Sequence, residues 1–161
     1  MFTSIDWNTH MSRHAFFSSQ DEIVDTMIDL AHVSKSQRIV ISGSDSIELY
    51  LALKRRGFAF GVLASACRVP CGQHAAGLIA GDHSYQALEA AIVQTSRFLN
   101  SSANIAVSIE SQENGLGARV RTKLQQLGFR IEAGARCRKG FVLAAHRQEF
   151  GQGFGAIANV A

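Results

Sequence analysis

Residues 38–46 read RIVISGSDS, an apolar run that ends in a serine and is followed by one glycine and short polar side chains. The apolar run predicts a short buried strand, and Gly43 with Ser44 predicts the tight turn that leaves it. Asp45 and, three residues later, Glu48 form a capping-box pattern, which indicates that a helix begins directly after the turn. A strand, a turn and a helix in immediate succession form the building unit of an α/β protein.

The same alternation continues on both sides of this stretch. Apolar residues at helical spacing predict helices, and short apolar runs bounded by glycine or polar residues predict strands. The predicted elements are helices over 19–31, 85–99 and 116–127, strands over 58–64, 76–80 and 103–109, and a final pair of strands over 129–133 and 141–145. The second strand is apolar throughout, which suits a parallel strand covered on both faces. We therefore expect an α/β fold: a Rossmann-like, mostly parallel sheet with helices on both faces and a C-terminal antiparallel hairpin.

This architecture predicts where the chain carries its function. Ligands of open, parallel sheets bind at the carboxyl ends of the strands. The turns after Ser42, Ala64, Ala80 and Ile109 are therefore the candidate positions. The first and third of these turns are rich in serine, aspartate and histidine, which are residue types that bind ligands and transfer protons.

The length of the chain and its composition set the frame for these elements. Its 161 residues, 47% of them hydrophobic, suit one domain with a sizeable core. We place an N-terminal extension at 1–14, the Rossmann-like domain at 15–148 and a glycine-rich tail at 149–161. No run approaches the roughly 20 apolar residues of a membrane helix, and no signal-peptide pattern is present. The three cysteines cannot all pair within one chain, so a cytoplasmic protein with reduced thiols is expected. Their odd number permits a homodimer without requiring one.

Positive charge is concentrated near the C-terminus. The stretch Arg119–Lys139 has seven basic residues against Glu132 alone. Such a patch could contact an acidic protein or a nucleic acid. A solvated helix face followed by a charged turn is the preferred interpretation, because no aromatic residues interleave to stack on bases.

Four features resemble the class I S-adenosylmethionine-dependent methyltransferases. They are IVDTMIDLA (23–31) leading into RIVISG, the segment GDHSY (81–85), the helix and strand that follow it, and LQQLGFRI (124–131) before the final hairpin. GDHSY is similar to a segment of small O-methyltransferases that opens a helix after a strand. The likeness covers roughly residues 15–147 and is carried by the order of the four features.

The resemblance implies a cofactor site, a catalytic site and a substrate class. S-adenosylmethionine would lie near Gly43 and Asp45, and the acceptor would be a small hydroxylated molecule. The implied cofactor-binding residues are Ser42, Gly43, Ser44, Asp45 and Ser65, and the implied catalytic residues are Asp82 and His83. A histidine at this edge suits a general base, because its pKa lies near working pH.

The chain also departs from the family pattern. The family's first loop carries several glycines, whereas the corresponding loop of this chain has Gly43 alone. The family's second strand ends in an acidic residue that binds the ribose, whereas the second strand of this chain is followed by Ser65, which has no carboxylate. Metal-dependent relatives have two aspartates where this chain has Ala80 and Glu110, so no metal is expected. One helix–strand unit is missing between the second and third strands. These departures indicate weakened or lost activity, with a non-catalytic pseudo-methyltransferase that binds a protein or nucleic acid as the alternative.

Several candidate residues have other interpretations. Asp82 could cap the following helix while His83 packs against the turn, and the serines around Asp45 could cap rather than bind an anion. A cluster in the loop after the second strand has the residue types of a zinc site, although its spacing is not the usual one. Small thiols that fill the loop are the preferred interpretation, and a redox pair is a third. The residues of this cluster are Cys67, Cys71 and His74, with Cys137 as a possible fourth member.

Overall fold

Helices and strands alternate along the described chain. The computed structural model describes residues 19–66, 68, 71–82, 84–110 and 115–148. The elements are α1 (Ser19–Leu30), β1 (Ile39–Ser42), α2 (Ser46–Arg55), β2 (Gly61–Leu63), β3 (His74–Ile79), α3 (Tyr85–Phe98), β4 (Leu99–Ile109), α4 (Leu116–Gln126), β5 (Phe129–Cys137) and β6 (Gly140–Arg147). Every predicted helix and strand is present. The predicted extension 1–14 and the predicted tail 149–161 lie outside the described residues. None of the helices that the structure describes has the length and apolar character needed to cross a membrane.

The strands form one mixed sheet in the order β2-β1-β3-β4-β6-β5. The pairs β1–β2, β1–β3 and β3–β4 are parallel, whereas β6 pairs antiparallel with both β4 and β5. Only β6 therefore runs against the other strands of this sheet. The prediction of a Rossmann-like, mostly parallel sheet that ends in an antiparallel hairpin is confirmed.

The helices cover both faces of the sheet. Neighbouring residues of a strand point to opposite faces, so Val40 and Ile41 of β1 belong to different halves of the core. The buried side chains on one face come from α3, α4 and the sheet and include Leu88, Ile92, Val120, Leu124, Val40 and Ile105. Those on the other face come from α1, α2 and the sheet and include Met27, Leu49, Leu53, Ile39, Ile41 and Leu78. The strands are thereby held from both sides, which fixes the positions of the turns at their carboxyl ends.

The edge at β2 differs from the sequence prediction. The apolar run 58–64 predicted a strand covered on both faces, but only Gly61–Leu63 form β2, and all three residues are half-buried. Phe60 is 55% exposed, and Ala64–Ala66 form a short 3-10 helix. β2 is the outermost strand, so another strand covers it on one side only and its residues stay partly exposed. Between β2 and β3, the described residues 64–66, 68 and 71–73 contain no further helix–strand unit, as the resemblance to the family predicted.

His74 is a buried histidine at the amino end of β3. Its relative exposure is 2%, and its Nδ1 lies 3.3 Å from the carbonyl oxygen of Phe98, so Nδ1 carries the proton and donates. Burial lowers the pKa of His74 and the charge of Arg38 lowers it further, while the hydrogen bond to Phe98 acts in the opposite direction. The neutral imidazole is therefore the form that the fold accommodates.

This lowered pKa predicts a fall in stability in mild acid. In the unfolded chain, this histidine is protonated below its ordinary pKa of about 6.5, whereas in the folded protein it is protonated only at lower pH. Above about pH 6.5, the histidine is neutral in both states, so it should not make the free energy of unfolding depend on pH. Below about pH 6.5, the free energy should fall towards pH 5 by at most about 1.4 kcal/mol per pH unit.

Urea unfolding of a His74→Asn variant between pH 5 and pH 7.5 tests this expectation. Asn keeps a side-chain donor for the Phe98 carbonyl and does not titrate, so this variant should show a smaller fall. The exposed His32 supplies the matched control, His32→Asn, which should leave the fall unchanged. Equal pH dependence in all three proteins would contradict the assignment to His74.

Candidate functional site at the carboxyl ends of the strands

Two turns meet at the centre of the sheet edge that the carboxyl ends of the strands form. One turn connects β1 to α2, and the other connects β3 to α3. The amide of Asp45 donates to the Ala80 carbonyl at 3.1 Å, and the amide of Ala80 donates to the Ser42 carbonyl at 3.1 Å. Each turn has a glycine with positive φ, 103° at Gly43 and 95° at Gly81. A Cβ on Gly43 would overlap the Ala80 carbonyl, and one on Gly81 would overlap the side chain of Asp45. The two turns are in direct backbone contact, and each glycine makes that contact possible.

The amides of the first turn already have acceptors. That of Ser44 donates to Oδ1 of Asp82 at 3.3 Å, and that of Ser46 donates to the Gly43 carbonyl at 3.2 Å. With the Asp45–Ala80 bond, three consecutive amides are engaged inside the chain. Amides at the beginning of a helix bind an anion when they are free to donate, and these three are not.

Neither aspartate caps a helix as the sequence suggested. Asp45 stands at the N-cap position of α2 but makes no side-chain capping hydrogen bond, since its side chain packs against Gly81. The N-cap of α3 is Ser84, whose Oγ accepts from the amide of Ala87 at 3.2 Å, and Asp82 instead accepts from the first turn. Both predictions of a capping hydrogen bond are therefore wrong: the Asp82 carboxylate accepts from the Ser44 amide instead, and the Asp45 side chain packs against Gly81.

The structure brings most of the predicted site residues to one edge. Ser42 is buried at the end of β1, and Gly43, Ser44 and Asp45 follow it in the turn that contacts Asp82. Ser65 is exposed on the 3-10 helix that follows the neighbouring strand β2. The catalytic candidate His83 lies outside the described residues. The described residues among them thus lie at the carboxyl ends of the strands, whereas the location of the functional site and the roles of these residues stay predictions.

The sequence analysis did not identify Gly81 as a residue of this site. It belongs to the GDHSY segment, yet its importance lies in its contact with Asp45 in a turn 36 positions earlier in the chain. A glycine directly after a strand was the available signal. Only the approach of the two turns shows what the glycine is needed for.

A second candidate region lies next to this edge, beside the hairpin. A cleft of about 460 Å³ opens between the end of β4, the first turn of α4 and the β5–β6 turn. We name it the basic cleft. The described residues that line it are Ile109, Glu110, Gly117, Arg136, Cys137, Arg138, Lys139, Gly140 and Phe141. The sequence had marked Glu110 only as a residue that could not complete a metal site.

Gly140 allows the hairpin to come close to β4. A Cβ at this position would lie 2.6 Å from the carbonyl oxygen of Ile109 and 3.2 Å from Cα of Glu110. With Gly140 at the start of β6, Phe141 pairs with Ile109 in the register of the sheet. The hairpin turn is thereby placed directly beside the carboxyl end of β4.

The basic stretch Arg119–Lys139 does not form one surface. On α4, the Arg119 guanidinium stacks on the Tyr85 ring at 3.8 Å from its centre, and Lys123 forms an ion pair with Glu89 at 3.0 Å. The last three basic residues of the stretch line the basic cleft instead. The fold therefore separates residues that the sequence had grouped together.

The cysteine and histidine cluster is divided by the fold. His74 lies at the amino end of β3, whereas Cys137 ends β5 at the opposite edge of the sheet, with its Sγ 3.6 Å from Oγ1 of Thr26. Cys71 is exposed, and Cys67 lies outside the described residues. Among the residues with described positions, no three histidine, cysteine or acidic side chains gather as metal ligands would.

No family model and no curated protein matches the sequence. Solved structures do match. The [4+2]-cyclase SpnF has a TM-score of 0.58 and 11% identity, over 80% of each chain. A release factor-specific protein-(glutamine-N5) methyltransferase from Alicyclobacillus acidocaldarius has a TM-score of 0.52 and 14% identity, over 81% of this chain and 92% of the other. A TehB-like SAM-dependent methyltransferase from Corynebacterium glutamicum has a TM-score of 0.52 and 10% identity, over 88% of this chain and 94% of the other.

These likenesses concern the fold. The chain has the Rossmann-like fold of the class I methyltransferases, which confirms the resemblance seen in the sequence. The same fold is found in a protein named as a cyclase, so the fold by itself does not establish methyl transfer.

Proposed function

We propose that this chain uses the methyltransferase-like fold as a non-catalytic binding module. S-adenosylmethionine is not its working cofactor, and an anionic partner is bound by its basic C-terminal half. The single observation that carries the proposal is the contact between the β1–α2 and β3–α3 turns.

This contact uses the groups that a cofactor would need. The family's loop requires glycines so that backbone amides can approach the ligand closely. Here Ser44 and Asp45 carry side chains, the amides of both are hydrogen-bonded within the chain, and the space beside Gly43 is filled by the Ala80 carbonyl. A ligand at this turn would have to displace these hydrogen bonds before it could form its own.

The end of β2 also fits the cofactor poorly. The resemblance implies a carboxylate there that accepts hydrogen bonds from the two ribose hydroxyls. Ser65 is the polar side chain at this position, and it stands on an exposed 3-10 helix. One hydroxyl offers weaker, uncharged hydrogen bonds than a carboxylate, so it supplies less binding energy.

Methyl transfer to a small hydroxylated acceptor is the second candidate function. The half-buried carboxylate of Asp82 favours it, because it follows β3 at the centre of the edge where ligands of this architecture bind. In that case Asp82 would act on the acceptor. In the proposed binding module, its task is to hold the first turn through the Ser44 amide.

Isothermal titration with S-adenosylmethionine separates the two functions. We expect no saturable binding, which corresponds to a Kd weaker than about 1 mM. Asp82→Ala should cost about 1 kcal/mol of unfolding free energy because the Ser44 amide loses its acceptor, whereas Asp82→Asn keeps an oxygen acceptor and should cost less.

A micromolar Kd for S-adenosylmethionine would overturn the proposed function. It would also support the enzyme if Asp82→Asn then lost methyl transfer while keeping wild-type stability. The stability of the two Asp82 variants, measured by urea unfolding, reports independently on the contact between the turns. Equal stability of both variants and the wild type would show that the Ser44–Asp82 hydrogen bond does not hold them together.

A further inference from the structure

The basic cleft gathers three cationic side chains. Arg136, Arg138 and Lys139 line it, and within the described part of the chain none of the three forms an ion pair. Glu110 is the one acidic residue among the described lining residues. The cleft therefore has an excess of positive charge that an anionic ligand would neutralise.

The backbone of the hairpin turn is held in place from the side of α1. The amide of Arg138 donates to Oε2 of Glu22 at 3.5 Å, and Sγ of Cys137 donates to Oγ1 of Thr26 at 3.6 Å. Gly140 fixes the other side of the turn against β4. Cationic side chains that start from a fixed backbone lose less conformational freedom when they bind a ligand.

The cleft also has the size and the floor of a small-molecule site. Its volume of about 460 Å³ lies within the usual range of ligand pockets. Buried Ile109 and half-buried Phe141 supply apolar surface. Apart from its chain neighbours and the backbone of its own helix, no atom of the described residues lies within 4 Å of a Cβ built on Gly117, so α4 leaves open space there.

We infer that the basic cleft binds a small molecule that carries a phosphate group. Two guanidinium groups and an ammonium group suit phosphate oxygens, since arginine offers paired N–H donors in a planar fork. Glu110 accepts a hydrogen bond from a hydroxyl or amine on the same molecule and repels a second anion. This inference rests on the proposed binding role and names the class of ligand that the module binds.

The arrangement favours a small ligand over a nucleic acid. A nucleic acid is bound by cations that are spread along a face, and a single strand is bound in addition by aromatic rings on which its bases stack. In this chain, Lys123 is paired with Glu89 and Arg119 is stacked on Tyr85, so two cations of the stretch are already engaged. Of the other five cations of the stretch, Arg136, Arg138 and Lys139 line the basic cleft, whereas Arg121 and Arg130 are exposed outside it, so the largest group of unengaged cations lies at the cleft.

Titration calorimetry on the full chain with ribose 5-phosphate and with ribose tests the inference. The phosphorylated sugar should bind saturably at micromolar to low millimolar concentration, and ribose should not. The double variant Arg138→Gln/Lys139→Gln should weaken binding about tenfold or more, because two charged donors are lost. The matched control Arg121→Gln/Arg130→Gln removes two exposed cations of the same stretch that lie outside the cleft lining, and it should change the Kd less than twofold.

Three results would overturn the inference. The first is the absence of saturable heat with ribose 5-phosphate, and the second is equal binding of ribose. The third is tighter binding of a single-stranded DNA oligonucleotide that both double variants weaken equally, which would indicate a diffuse polyanion surface. A parallel titration with S-adenosylmethionine keeps the two proposals apart. If neither compound binds, only the phosphate site is lost, whereas micromolar binding of S-adenosylmethionine removes the proposed function itself.

Discussion

Gly43→Ala should destabilise the protein by roughly 2–5 kcal/mol. Two costs combine at this position. A side chain at φ 103° strains the backbone, and the added Cβ would overlap the Ala80 carbonyl, which is backbone and cannot rotate away. The contact between the β1–α2 and β3–α3 turns would have to open. The free energy of unfolding from urea denaturation measures the effect.

Gly57→Ala is the matched control for this prediction. Gly57 has a φ of 87°, but the nearest atoms to its added Cβ belong to the flexible Lys35 side chain, at 3.6 Å. This variant carries the backbone strain without the overlap, so its cost should be about 1–2 kcal/mol. Equal losses in the two variants would mean that the close approach at Gly43 adds nothing to the cost.

The result changes how a binding experiment on Gly43 is to be interpreted. The sequence places this glycine in a cofactor loop, which suggests that a bulky replacement would abolish cofactor binding. In the structure the same glycine joins two turns of the fold. Loss of binding in a Gly43 variant would therefore be expected from destabilisation alone, and it carries information about a cofactor only if the variant remains folded.

Ile92→Ala should destabilise the protein by about 2–5 kcal/mol. Ile92 is fully buried between α3 and the sheet, in the half of the core that also contains α4. Removing its side chain leaves a cavity among strands and helices that are packed from several directions. Thermal or urea unfolding gives the loss directly.

Ile47→Ala separates this packing effect from the change in helix propensity. Ile47 is also helical, at the beginning of α2, but it is 60% exposed. Both variants exchange isoleucine for the better helix former alanine, yet only one removes a buried side chain. A change of more than about 0.5 kcal/mol at Ile47 would contradict the expected surface position.

The fold was predictable because its signals are local. The helix Tyr85–Phe98 was expected over 85–99, since Leu88, Ile92 and Leu99 recur at helical spacing. Strand limits were harder to predict. β4 begins at Leu99 rather than at Ala103, because Leu99 pairs with His74 of β3 across an irregularity in the register, and the polar residues between carry no hydrophobic signal.

The candidate site divides in the same way. The alternating helix–strand pattern was enough to place Gly43 and Asp82 at the carboxyl edge of the sheet, because both lie in turns that follow a strand. The hydrogen bond from Ser44 to Asp82, 38 positions away, and the separation of the α4 cations from those of the basic cleft became apparent only in the folded chain. The difference lies in the range of the interactions. Periodicity and turn residues reflect interactions over a few positions, whereas the closing of one turn on another depends on which distant backbone atoms the assembled sheet brings into contact.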